Sequence, residues 1–331
     1  LGGHGQNKMR IVEEGAVRPL VDLVRFPDRE IQHCATLALT SIVLGELEPP
    51  KFAVLQEHGV QPLLVLMQST SLNADGGEDL SCVRAATYCL GTVCEQSQIK
   101  ATAIELGCLE AMVAQESNPD IEVKRNVAYF IALVTEQQEY HELIVARGAL
   151  KALVSLASLE DVECQEYATF ALAHLSSNRD YQVAVVKAGA LKPLVAMMSI
   201  HAQPRHYAGL ALLKLADNFE NHLQIAEEGG IQALLRLARS RSTDEELQYK
   251  AALTVGHLAS NAVQLLPSGS AGANNTLKSL ARKGSAKDNS QRMSATLKLS
   301  KGVARERTRD FLQRTLNKAN HVDAQSQDDD Q

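Results

Sequence analysis

The chain has 331 residues, 33 Lys+Arg against 39 Asp+Glu, and a formal net charge of −6. Apolar residues make up 45% of it, which excludes wholesale disorder, while aromatics are 4% and Trp is absent. Its core is therefore aliphatic, rich in Leu, Ala and Val, and suited to helices rather than sheets. No stretch approaches the roughly 20 apolar residues of a membrane span.

In chain order, one phrase recurs. Residues 15–21 read Gly-Ala-Val-Arg-Pro-Leu-Val, a corner glycine followed by a helix. A damaged copy, His-Gly-Val-Gln-Pro-Leu-Leu, stands at 58–64. Its apolar residues fit best with His58 in the glycine slot, so that corner is either strained or one residue shorter. The phrase returns at 107–113, 148–154, 189–195 and 229–235, with the glycines Gly107, Gly148, Gly189 and Gly229 set 41, 41 and 40 residues apart. A period near 40 is the signature of stacked supersecondary units, none of which buries its apolar face alone.

Each copy predicts a short helix, a glycine corner and two longer helices. The copy around Gly189 shows the logic. Asn178 caps a short helix over 179–187, and Gly189 supplies the positive φ that turns the chain without a Cβ penalty. Leu191, Leu194, Val195 and Met198 follow at helical spacing as one buried stripe. A polar break at 201–204 precedes a third helix whose Ala208, Ala211, Leu212 and Leu215 form another.

After His257-Leu258-Ala259 the phrase dissolves. The expected organisation is a helical array over 1–265, a flexible basic linker over 266–302, an amphipathic helix over 303–320 and a disordered acidic end over 321–331. Charge divides along the same line: residues 1–260 carry 21 Lys+Arg against 32 Asp+Glu, whereas residues 261–320 carry 12 against 3. Within the linker, Ser285 and Ser294 follow basic residues and are candidate phosphorylation sites whose modification would subtract charge from the tail. The 303–320 helix places Ala304, Phe311, Leu312 and Leu316 near one face. That stripe is thin for a membrane surface and better suited to docking on the array's last layer.

The period, the Gly-Ala-[Val/Leu]-x-x-Leu-Val second helix and the Ala-rich third helix resemble the armadillo repeat family, in the β-catenin/importin-α-like superfamily. The resemblance covers residues 1 to about 265 and implies an all-α, right-handed α-solenoid of about six repeats, the first of them truncated. It further implies that the third helices line a concave groove. In peptide-binding members a Trp and, four residues later, an Asn recur along that groove. Here the Trp-like slots hold Leu37, Tyr88, Tyr129, Phe170, Leu210 and Leu253, and the Asn-like slots hold Ser41, Thr92, Leu133, His174, Lys214 and His257. No Trp or Asn remains, which argues against nuclear-signal transport. One turn upstream the row runs His33, Arg84, Arg125, Glu166, His206, Tyr249, so the first half of the groove reads as locally basic. Arg84 and Arg125 with Tyr88 and Tyr129 suit an acidic or phosphorylated segment, unless the arginines are spent on acids of adjacent helices.

Catalytic chemistry is missing from the sequence. There is no phosphate loop, no Gly-x-Ser-x-Gly, no His-Glu-x-x-His and no dinucleotide fingerprint. His33, His174, His206 and His257 fall in different layers and cannot converge on a metal. The run from Asn73 to Asp79 lacks the ligand spacing of a calcium loop and reads as a flexible acidic insertion. Cys34, Cys82, Cys89, Cys94, Cys108 and Cys164 show no CxxC spacing, which points to core thiols in a reducing compartment. The expected function is a non-enzymatic scaffold or adaptor, cofactor-free, for other proteins and not specific nucleic acid. It would be cytoplasmic, with nuclear or peripheral-membrane placement as variants. Because residue 1 is Leu, the chain reads as a fragment. The family then leaves two alternatives open: the substrate-binding part of a U-box ubiquitin ligase, or a membrane-tethered vacuolar-type adaptor.

Overall fold

A computed structural model of the chain describes residues 5–69, 79–199, 203–239 and 245–265. The expected linker, terminal helix and acidic end, with Ser285 and Ser294, lie outside the described residues, as does most of the acidic insertion. Among the described residues there is no strand, and eighteen α-helices form six layers of three. The first layer is α1 (Gly5–Glu13), α2 (Val17–Val24) and α3 (Arg29–Val43), and the second is α4 (Glu48–Gln56), α5 (Val60–Met67) and α6 (Ser81–Val93). The third is α7 (Ser97–Glu105), α8 (Cys108–Ala114) and α9 (Ile121–Thr135), followed by α10 (His141–Ala146), α11 (Ala149–Ala157) and α12 (Val162–Ser176). The fifth is α13 (Gln182–Lys187), α14 (Leu191–Met197) and α15 (Gln203–Leu215), and the sixth α16 (His222–Glu227), α17 (Gly230–Arg239) and α18 (Glu245–Leu265). Third helices pack in series, α3 on α6, α6 on α9 and onward to α18, and second helices do the same from α2 to α17.

The corners form for the reason the sequence gives. Gly15, Gly107, Gly148, Gly189 and Gly229 all take positive φ, between 71° and 90°. At the damaged copy His58 does so instead, at φ 54°, the sole non-glycine of this kind among the described residues. The strained alternative is therefore the one adopted, and histidine tolerates it better than a β-branched residue would. The short helix before Gly189 opens as a 3-10 turn, Arg179–Tyr181, with Asn178 Oδ1 accepting from Asp180 N at 3.1 Å. The following third helix starts at Gln203, so Pro204 belongs to its first turn rather than to the preceding break.

Packing follows the apolar stripes. One continuous core runs from Val17 to Leu258, with Leu63, Leu90, Leu109, Leu153, Leu194 and Leu234 sealed from solvent in successive second and third helices. Burying each such leucine stabilises by about 1.5–3 kcal/mol. Five of the six cysteines are buried, and burial pushes the Cys89 thiol up to about 12, as befits an inert core group. Cys34 departs from the expectation and is exposed.

A second periodicity is polar. The last carbonyls of a helix have no intrahelical partner, and here a buried residue of a first helix reaches them layer after layer. Lys8 Nζ donates to Leu44 O, and Lys100 Nζ to Leu133 O at 2.7 Å. His141 Nε2 meets Thr135 O at 2.8 Å, Gln182 Nε2 donates to both Ser176 O and Lys214 O, and His222 Nε2 meets Ala216 O at 2.8 Å. In the second layer the same slot holds Lys51, whose ammonium meets the Glu95 carboxylate. The ladder thus switches from lysine in the first three layers to histidine and glutamine in the last three. Desolvation lowers the pKa of Lys8 and Lys100, aided at Lys8 by the nearby Lys51 charge.

Candidate partner-binding face

Residues four apart lie on one helix face, so the three rows expected to bind a partner run side by side along α3, α6, α9, α12, α15 and α18. The row one turn upstream is built around carboxylates of adjacent helices, the pairing that the sequence left open for Arg84 and Arg125. Asp120 and Asp161 are the N-caps of α9 and α12, accepting from Val123 N at 3.1 Å and Cys164 N at 2.9 Å. Arg84 of the preceding layer binds Asp120 at 2.5 Å and Glu122 at 2.9 Å. Arg125 binds Asp161 at 2.7 Å and comes within 3.9 Å of Glu163. Each guanidinium therefore stands between two carboxylates, and each such rung carries one negative charge in surplus. The local sign is opposite to the basic reading of this half of the face. Burial alone would raise the pKa of Asp120 and Asp161, but their arginine and amide hydrogen bonds outweigh it and hold both below the usual carboxylate range. Those same bonds raise the arginines. One layer earlier, Asp79 accepts from Ser81 N at 3.0 Å and feels the Arg29 and His33 charges. Further along the row Glu166 is buried, His206 is half-buried with its ring centroid 5.5 Å from that of Tyr207, and Tyr249 is exposed.

The middle row forms an aromatic floor. Tyr88 is half-buried, whereas Tyr129 and Phe170 are each only 7% exposed. Tyr129 packs at 5.3 Å, tilted by 53°, on Tyr167 of the next layer, and Phe170 makes an edge contact at 5.1 Å with Tyr207 of the layer after that. Gly91 lies under the Tyr129 ring, where an added Cβ would come within 3.0 Å of it. Tyr129 Oη donates to Glu95 Oε1 at 2.5 Å, and the other Glu95 oxygen holds Lys51. Leu37 is exposed, and Leu210 and Leu253 are half-buried.

The third row offers no amide. The Thr92 hydroxyl is spent on Tyr88 O at 3.0 Å, and Leu133 is buried. The His174 ring lies 4.4 Å from Phe170, and burial together with the His141 charge brings its pKa down to about 4, so it is neutral at physiological pH. Lys214 is half-buried, Ser41 is exposed, and the His257 side chain lies outside the described residues. Among the described residues no three His, Cys, Asp or Glu side chains gather as a metal site, and no helix is long and apolar enough to cross a membrane. The acids at 120 and 161 and the tyrosines at 167 and 207 repeat at 41 and 40 residues. Aligning the copies outside the expected slots would have found both pairs.

Comparison with known proteins agrees with this architecture. The model of the armadillo/beta-catenin-like repeat matches residues 218–260. No curated protein matches the chain. Among solved structures, an engineered protein from a structural genomics consortium is 26% identical, with a TM-score of 0.64 over 75% of this chain and 98% of its own. The designed armadillo repeat protein YIII(Dq)4CqI is 23% identical, with a TM-score of 0.63 over 73% of this chain and 99% of its own. A further designed armadillo repeat protein, YIII(Dq.V1)4CPAF, solved in complex with the peptide (KR)4, is 22% identical, with a TM-score of 0.62 over 73% and 98%.

Proposed function

From the premise that this chain has the armadillo-repeat fold, we propose that it is a non-enzymatic scaffold. In this reading the body of the scaffold is residues 1–265, followed by the linker 266–302 and the segment 303–320. It holds partner segments along its third-helix face, with Arg84, Tyr88, Arg125, Glu166 and His206 meeting side chains of the partner. The observation that carries this is the pair of consecutive charged rungs from α6 to α12, set over ring contacts that continue to Tyr207 of α15. Stacked repeats use such surfaces for extended ligands.

The rungs bear on the chemistry of the partner. An acidic or phosphorylated segment would have to displace two carboxylates from each arginine, whereas a segment bearing Lys or Arg meets the surplus negative charge that Glu122 and Glu163 bring to the rungs. That a designed protein of the same fold is seen with a (KR)4 peptide accords with this preference. Without an Asn row, backbone clamping is weaker, and selectivity comes from side-chain charge and ring contacts. Ser285 and Ser294 would tune the charge of the tail once phosphorylated.

The test is fluorescence polarisation with Lys/Arg-rich, acidic and phosphoserine peptides on the full chain. Wild type binds the basic peptides, and Tyr88→Ala with Glu122→Gln and Glu163→Gln weakens them at least tenfold. Equal affinities for all three classes, or no loss in the variant, would defeat the proposal.

A further inference from the structure

We infer that the free chain covers its own third-helix face with its basic segment 303–320, so that a partner binds by displacing it. The inference rests on the reading of that face as the binding surface and goes on to name its resting occupant.

Three observations converge. The face has a carboxylate surplus where α9 and α12 begin: Asp120 and Glu122 against Arg84, Asp161 and Glu163 against Arg125. The segment carries Arg305, Arg307, Arg309, Arg314 and Lys318 against Glu306 and Asp310, the complementary sign. It also carries Phe311, Leu312 and Leu316, apolar side chains that suit a floor of Tyr88, Tyr129 and Phe170 rings. The acid surplus lies in layers two to four. Layers five and six place His206 and Lys214 on the same rows, and the Glu246 carboxylate there is already bound to Lys250, which disfavours the last layer as the docking place for a cationic segment.

The geometry permits it. From the end of α18 to layer three is three layers at about 10 Å each along the stack and, across it, the 21-residue length of α18 at about 1.5 Å per residue, a diagonal of about 45 Å. The 37 residues of 266–302 extend to about 120 Å at full stretch, and a flexible chain of that length has an r.m.s. span of about 33 Å. A tether of this kind gives an effective concentration of about 1 mM. An intrinsic Kd of about 100 µM would then leave the face covered most of the time and weaken any competing ligand about tenfold.

The experiment titrates a fluorescein-labelled synthetic peptide of residues 303–320 into two full-length chains. One is wild type, and the other carries Arg305→Glu, Arg307→Glu, Arg309→Glu and Arg314→Glu. The charge-reversed chain is expected to bind the probe at least tenfold more tightly, and adding Glu122→Gln, Asp161→Asn and Glu163→Gln is expected to abolish that gain. Asn at 161 keeps the helix cap, and circular dichroism of the variants checks that the array stays folded. Equal affinities in the two chains would overturn the inference while leaving the face able to bind. No binding to either chain would overturn it too, and the peptide panel above then judges the face separately. A gain that survives the carboxylate substitutions would place the segment elsewhere and overturn it as well.

Discussion

Lys100 offers a test of the polar ladder. It is 2% exposed, and its ammonium donates to the orphan carbonyl of Leu133 at 2.7 Å. The equivalent slot two layers on holds Gln182, equally buried, which reaches the corresponding carbonyl of Lys214 at 2.8 Å. A neutral donor therefore suffices, and Lys100→Gln should stay within about 1 kcal/mol of wild type at pH 7. Lys100→Met has the same volume but no donor, leaves the carbonyl unpaired and should lose about 1–3 kcal/mol. The pH dependence separates charge from hydrogen bonding. Desolvation lowers the folded-state pKa of Lys100, so between that value and about 10.4 the unfolded chain binds the extra proton. Wild type consequently gains stability over Lys100→Gln as pH rises through this window, by up to about 1.4 kcal/mol per unit. Urea unfolding followed by circular dichroism at pH 7 and pH 9.5 measures both effects, and the shift of Lys8 cancels in the comparison. If the glutamine variant fell with the methionine one, or the gap ignored pH, the account of this ladder would be wrong.

At the damaged corner, His58→Gly relieves a left-handed backbone costing about 1–2 kcal/mol and gives back about 0.4–1 in unfolded-chain entropy, so thermal melting should show a gain of about 0.5–1 kcal/mol. The reciprocal change Gly148→Ala, at φ 80°, should lower the melting temperature. Tyr129→Phe removes a hydroxyl from the Glu95 carboxylate and should destabilise by about 1–3 kcal/mol in denaturant titration, with no change in secondary structure. Asp161→Asn keeps the cap but loses the Arg125 pair, for about 0.5–1.5 kcal/mol at pH 7. Because the folded Asp161 pKa is depressed, that deficit should be present above about pH 4 and fade as pH falls through the folded value, as acid titration of both proteins would show.

Much of the architecture was legible because the corners depend on backbone sterics alone. A residue that must turn with positive φ announces itself as glycine, and even His58 could be placed by the apolar residues around it. The stripes of α14 and α15 were legible for a similar reason, since burial imposes a 3.6-residue period. What escaped was most of the detail that joins one layer to the next. Pairing of Arg84 and Arg125 with acids of adjacent helices could be foreseen but not which acids, because those carboxylates stand 36 residues downstream, at helix caps that serve a local purpose too. Tyr129 was read as part of a single row, whereas its ring packs on Tyr167, a residue of none of the three rows, in the next layer. The first-helix ladder hid for a different reason: lysine, histidine and glutamine share no hydrophobicity signal, and only their common duty to a helix end makes them equivalent.

The rungs also give the array a direction. Every described arginine–cap pair runs forward, from one layer to the helix start of its successor, and the two ends are unequally wet: the Arg84 and Arg125 side chains are 46% and 34% exposed, those of Asp120 and Asp161 11% and 14%. Removing layers from the far end would return a guanidinium to water at little cost, whereas removing them from the near end would strand a half-dry carboxylate. Truncation should therefore be tolerated asymmetrically, and lineages that shorten such arrays by losing trailing units would meet less resistance than those that lose leading ones.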